Sequence, residues 1–333
     1  MEIVPIMGSS ISFIARPNSA STKRSAVWAC GILCCLGFLG PFSDEVLASP
    51  GSTVQIARGV WFHEAETGKG YCNNAVIEMG DYLIVVDANY PGGAKEMIDL
   101  TKRLSPKPVK YVFDSHHHGD HSYGNAVWTA HGATTLAYQG VVEEMNRYEP
   151  ERWLRSSASR PDVAALHLPD AQRPQKTFTG DMFVLKDDSR EVRFYFFGWG
   201  HTRGDGYVWL PKERVLCTGD GAVNGPFNKI VDADIKNWPE ILNRAVALRP
   251  LHVLPGHGPA GGLEVLTGQQ KFLRDLYSAV GEAIQQGQKP EQMNIQLPAK
   301  DSNWVPTWLI RDVVAVYEEI TQGKPHGALP HVW

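Results

Sequence analysis

The stretch DSHHHGDHSYGN, Asp114 to Asn125, packs four histidines and one aspartate into the six positions from His116 to His121. It directly follows VKYVFD (109–114), an apolar run that reads as a short β-strand. In an extended segment alternate side chains share a side, so His116 and His118 point one way and His117 the other. Asp120 and His121 come one turn later, where they can face a second centre. Neutral imidazole and carboxylate are the ligands that hold zinc and similar divalent ions. A bare histidine run can also be an adventitious metal tract. Such a tract would not place Asp120 at this offset, nor be matched by loops elsewhere in the chain.

Three further loops match it. GWGHTRGDG follows the strand-like VRFYFF and carries His201; TGDG follows RVLC and carries Asp220; PGHG follows LHVL and carries His257. Strand-end loops are where a rigid scaffold presents chemical groups, so four of them imply one convergent site. A catalytic zinc takes three protein ligands and keeps one position open. The candidates His116, His118, Asp120, His121, His201, Asp220 and His257 therefore divide into two three-ligand sites, with Asp220 bridging. Two ions about 3.5–4 Å apart are a known arrangement for hydrolysis. His63, His131, His167, His252, His326 and His331 read as ordinary core or surface histidines.

Around these loops the pattern alternates between sheet and helix. TVQIARGVWFHEA, NNAVIEMG and DYLIVVDAN are strand-like, with Gly80–Asp81 turning a hairpin. PGGAKEMIDLTKRLSP reads as a helix between Pro91 and Pro106, and Gln139 to about Ser159 as a long polar one. Strands return at MFVLKD, VRFYFFG, YVWLP and RVLCTGD. NWPEILNRAVAL, Leu263–Gln286 and Thr307–Gln322 read as helices, with the strand LHVLPG before the last two. The order gives two similar halves, each a sheet with helices outside, which suits two sheets stacked between helical layers. No linker interrupts residues 49–333, which read as a single domain.

Residues 1–48 read differently. Arg16, Lys23 and Arg24 precede the apolar SAVWACGILCCLGFLG, and PFSDEVLASP follows. This is the layout of a secretory leader with cleavage after Ala48, so an exported, periplasmic or secreted protein is expected, without stable membrane insertion afterwards. Cys30, Cys34 and Cys35 lie in that leader; Cys72 and Cys217 remain, too few for a disulfide framework. Cys217, in the apolar RVLCTGD, reads as a buried free thiol. A net charge of −4, with 20% charged residues and no basic stripe, speaks against a nucleic-acid partner.

HHHGDH matches the His-x-His-x-Asp-His signature of the metallo-β-lactamase superfamily, and GWGHTRGDG, LCTGD and LPGHG resemble its later signatures in order. The resemblance covers about Val54 to Gly258 and includes IVVDAN, whose Asp87 matches a supporting aspartate. It implies an α/β fold, the four-layered αβ/βα sandwich, with a dinuclear site at one edge of the sheets. It also implies that His116, His118 and His201 hold one ion, Asp120, His121 and His257 the other, and Asp220 both. The ions would be zinc, with iron or manganese also suited to these donors. The expected chemistry is attack on a small-molecule carbonyl by a hydroxide held between them, oriented by Asp120.

Members that hydrolyse β-lactams usually carry Cys or Ser where this chain has Asp220, whereas thioesterase and lactonase branches keep Asp. The resemblance thus favours an ester, lactone or thioester. Export favours a β-lactam, and a non-catalytic metal-dependent binding protein is a third reading. Tyr123, Trp199, Asn224, Phe227, Asn228 and Lys229 lie near the ligands in sequence and are pocket candidates, with plain packing or loop structure the favoured reading of each. A helix bearing Lys271, Arg274 and Tyr277 could cover the pocket, but Phe272, Leu273, Leu276 and Val280 suit ordinary packing.

Overall fold

The computed structural model describes residues 50–323; the leader, His326 and His331 lie outside them. Strands β1 (Thr53–Ala57), β2 (Val60–His63), β3 (Asn74–Glu78) and β4 (Leu83–Val86) form an antiparallel meander. Helix α1 (Pro91–Leu104) then crosses to β5 (Val109–Asp114), which pairs parallel to β4. A single turn α2 (Gly119–Ser122) and helix α3 (Asn125–Ala130) lead to β6 (Thr134–Tyr138), again parallel. Helices α4 (Gln139–Ser159) and α5 (Pro161–Ala164) precede β7 (Lys176–Phe178), which completes a seven-stranded sheet in sequential order.

The second sheet has five strands. β8 (Met182–Lys186), β9 (Glu191–Phe196), β10 (Gly206–Leu210) and β11 (Val215–Gly219) are antiparallel neighbours. Helix α6 (Trp238–Ala247) crosses to β12 (His252–Pro255), parallel to β11, and α7 (Leu263–Gln285) and α8 (Leu309–Gln322) follow. Among the described residues no helix is long and apolar enough to cross a membrane.

Period-two alternation explains the layering. In β4, Ile84 and Val86 face the other sheet, meeting Phe113, Phe194 and Val208, while Leu83 and Val85 face Met97 and Ile98 of α1. In β10, Val208 and Leu210 turn inward, while Tyr207 and Trp209 pack beneath α6 and α7 with Trp238 and Phe272. Strands covered on both faces must be apolar throughout, as LIVV and GYVWL are. The αβ/βα sandwich expected from the sequence is the observed fold. Cys72 and Cys217 are both buried and unpaired. The short β7 and α5 were not expected.

Candidate metal centre

All the candidate ligands sit where strands end. β5 stops at Asp114; a bent stretch from Ser115 leads to His118, whose own extended backbone caps α2, and that turn carries Asp120 and His121. His201 follows β9, Asp220 directly follows β11, and His257 lies two residues past β12. One ligand atom from each of His116, His118, His201 and Asp220 falls within 4.8 Å of the others, and so do those of Asp120, His121 and His257. Asp220 joins the two groups: its Oδ1 lies 3.4 Å from His121 Nε2 and 3.6 Å from His257 Nε2. Asp120 Oδ2 lies 3.0 Å from His257 Nε2 and 3.5 Å from His121 Nε2. The structure thus brings together all seven residues singled out from the sequence.

Glycines in the motifs make this approach feasible. A Cβ on Gly256 would stand 2.2 Å from Asp220 Oδ1, and one on Gly219 would stand 2.1 Å from Ser115 Oγ. Gly219 also has φ of 48°, a left-handed conformation that favours glycine.

Two carboxylates fix the histidines from behind. Asp87 sits at φ of 68° and accepts the Ser115 backbone N–H at 2.8 Å and His121 Nδ1–H at 2.9 Å. Asp232 accepts His118 Nε2–H at 2.9 Å and binds Arg152 through both oxygens at 3.0 and 2.9 Å. Such partners set the tautomer, leaving His121 Nε2 and His118 Nδ1 as the lone-pair nitrogens. Asp87 matches the supporting role expected of it. Asp232 and Arg152 were missed; the only sequence signal for Asp232 was an acid inside the apolar IVDAD. His117 does face away, but not to solvent. It is fully buried, stacks on Tyr148 at 5.5 Å, and its Nε2 accepts from Arg152 Nη1 at 3.0 Å.

The electrostatics separate the two groups. Burial pushes His116 and His118 well below the usual imidazole range and His201 down to about 4, so all three are neutral donors. Burial also opposes charge on His121 and His257. At His121 it is outweighed by Cys72, Asp87, Asp220 and Asp120, and at His257 by Asp220 and Asp120, so both are raised. Asp120 and Asp220 are held ionised below the usual carboxylate range, against burial, by His121 and His257. His116 Nε2, His121 Nε2, His201 Nε2 and Asp220 Oδ1 are buried and complete no hydrogen bond. Buried polar atoms without partners are rare, and this N/O set converging from several directions fits divalent cations.

A cavity of about 400 Å³ opens on His118, Gly119 and Asp120. Tyr123 and Lys229 line it as expected from their nearness in sequence; Trp199, Asn224, Phe227 and Asn228 do not. Trp199 Nε1 donates to the Asp232 carbonyl, Asn224 to that of Pro259 and Asn228 to that of Trp304, so these side chains brace loops. Phe227 packs on His257, ring centroids 5.6 Å apart. Helix α7 does not cover the cavity, and its Lys271 pairs with Asp275 and Asp301.

The chain is 35% identical over 115 residues to metallo-beta-lactamase type 2 of Bacteroides fragilis, across 33% of this chain and 45% of that protein. It is 27% identical over 223 residues to metallo-beta-lactamase type 2 of Bacillus sp. (strain 170), across 63% and 77%. A solved metallo-beta-lactamase from Pontibacter korlensis shares the fold, with a TM-score of 0.54 at 20% identity, covering 67% of this chain and 99% of the other. The family model of the metallo-beta-lactamase superfamily matches residues 67–257, from ahead of β3 to the last candidate ligand, and the chain belongs to that superfamily.

Proposed function

We propose that this superfamily hydrolase works with two divalent ions, zinc first among them, to cleave an ester, lactone or thioester carbonyl of a small molecule. The observation that carries the reading is the position of Asp220. Its Oδ1 reaches both His121 and His257 while the residue also belongs to the His116, His118 and His201 group, so one carboxylate can serve two ions. Such ions, when bound, acidify a water and polarise a carbonyl oxygen. His116, His118 and His201 would hold one and Asp120, His121 and His257 the other. Asp87 and Asp232 keep His121 and His118 turned with the donor nitrogen toward the site. Asp120, ionised and bordering the cavity, orients the attacking water and accepts its hydrogen bond.

A second reading, hydrolysis of a β-lactam amide, is favoured by the relatives named metallo-beta-lactamase type 2. Export, expected from the leader, would also place the protein where β-lactams act. The aspartate at position 220 supports the first reading over it. A hydrolysis panel on Ser49 onward, zinc-loaded, decides between them. Chelator-sensitive turnover of lactones, an aryl ester or a glutathione thioester, with none on a chromogenic cephalosporin, is the expected result. The reverse pattern favours the β-lactam reading, and silence throughout favours a binding protein. In Asp120→Ala, near-wild-type turnover at full metal occupancy would refute the role given to that carboxylate.

A further inference from the structure

The wall of the cavity carries an unusual stripe. Arg152, Arg155, Ser156 and Ser159 of α4 all line it, and their spacing of three, four and seven residues places them on one helical face. That is the spacing at which a packing helix normally carries its apolar residues. Here the stripe is basic and hydroxylic, and it borders a cavity instead of a core. The stripe begins beside the metal centre, because Arg152 grips Asp232, which in turn holds His118. At 1.5 Å per residue it runs about 10 Å along the helix to Ser159. Arg311 and Trp308, near the start of α8, add to the lining, and so does Lys229; among the described residues the lining holds four cations, of which Arg311 has a partner of its own, and one acid, Asp120, which belongs to the metal centre. Arg152 is matched by Asp232, whereas Arg155 pairs with the half-exposed Glu151, at 2.8 Å, a pairing that an arriving anion can displace. Tyr90, Trp308 and Val231 supply apolar surface in the same cavity.

We propose that the substrate carries a carboxylate or phosphate at the end remote from its scissile carbonyl, bound by Arg155 and Arg311, with an apolar body against Tyr90 and Trp308. The inference rests on the hydrolase reading above for which bond is cut, but not for the anion subsite itself.

Two measurements keep those apart. The first is calorimetric titration of the metal-free protein with benzoate and phenyl phosphate, and with benzyl alcohol as the neutral match. Both anions should bind and the alcohol should not, with affinity falling about tenfold in the double variant Arg155→Ala, Arg311→Ala as two partly exposed charge contacts are lost. Phosphate bound without carboxylate, or the reverse, would identify the head group. Equal binding of anions and alcohol, or anion affinity unchanged in the variant, overturns the subsite. Ser159→Asp, at an exposed position, is the second variant should the first not fold; a carboxylate in that wall should abolish anion binding, and unaltered binding again overturns it.

The second measurement compares kcat/KM of the zinc-loaded protein for 4-nitrophenyl hemisuccinate and 4-nitrophenyl acetate. The wild type should favour the anionic ester and the variant should lose most of that preference; a wild type indifferent to the charge refutes the proposal. Failure to hydrolyse either ester counts against the hydrolase reading alone, since the titration with benzoate and phenyl phosphate reads the subsite without turnover.

Discussion

Replacing Asp232 by Asn tests whether a carboxylate outside the ligand set governs metal affinity. Burial works to raise the Asp232 carboxyl, but Arg152, with His117 and Lys229, outweighs it and holds it at about 2. The group is therefore an ionised, purely accepting partner, taking His118 Nε2–H on one side and the Arg152 guanidinium on the other. An asparagine has one accepting oxygen and one donating nitrogen. With its oxygen toward Arg152, the amide N–H faces His118 Nε2–H; with its oxygen toward His118, it faces the guanidinium N–H groups. The first arrangement is relieved by moving the imidazole proton to Nδ1, which removes the lone pair from the site. Loss of such a partner typically weakens metal binding by about 10- to 100-fold, or about 1.4 to 2.8 kcal/mol. Zinc affinity measured by competition with a chromogenic chelator should fall by that amount. A folded Asp232→Asn that binds both ions with wild-type affinity would refute the tautomer argument.

Other expectations follow from neighbouring contacts. His117→Ala should keep both ions yet lose about 2–3 kcal/mol of stability to denaturant, through the vacated core volume and an Arg152 N–H left without its acceptor. His118→Ala should lose at least one ion by elemental analysis, and equal metal loss in the two variants would contradict the division of roles. Gly256→Ala puts a methyl 2.2 Å from Asp220 Oδ1 and 2.7 Å from the Gly219 carbonyl carbon, so carboxylate and strand-end backbone must both shift, and metal content and stability to urea should drop together. Asp312 is buried in α8, and burial raises it from 3.8 to about 8 against the lowering effect of a hydrogen bond from the Ile230 backbone. Its folded pKa lies above the unfolded one, so the wild type loses stability as pH rises from about 4 to 8. Asp312→Asn should therefore gain about 2–4 kcal/mol over the wild type across that range, read by urea unfolding at pH 5 and pH 8.

The ligands were legible because each is tied to a short local pattern, a strand followed by a glycine-bearing turn; His117 turns from His116 and His118 as expected, but in a bent loop where Arg152 and Tyr148 hold it. The layers were legible too, since short β-branched and aromatic runs such as LIVV and GYVWL, bounded by turn residues, suit strands covered on both faces. Asp232 was not, because it meets His118 across 114 residues of sequence from an irregular stretch that no periodicity describes. Arg152 and Arg155 were hidden in a long polar helix with no local motif; the structure turns part of that polarity toward a cavity. Asn224, Phe227 and Asn228 serve loop structure and packing, the reading favoured for them, because nearness to Asp220 in sequence is not nearness to the open side of the site. That wall comes from α4 and from the start of α8, elements no ligand motif marks.

The centre draws His116, His118, Asp120 and His121 from the seven-stranded sheet and His201, Asp220 and His257 from the five-stranded one. Away from that edge the two sheets meet through apolar faces, with Arg190 donating to the Gly59 and Glu78 carbonyls and the Gly80 N–H to Asp187. Ions seated between them would act as a clasp on one rim of the sandwich, tying loops distant in the chain with bonds of fixed length and direction. Loading and folding would then share one free energy, so chelation should first loosen this rim, and amide protons near His118, His201 and His257 should exchange ahead of those in the strands behind them.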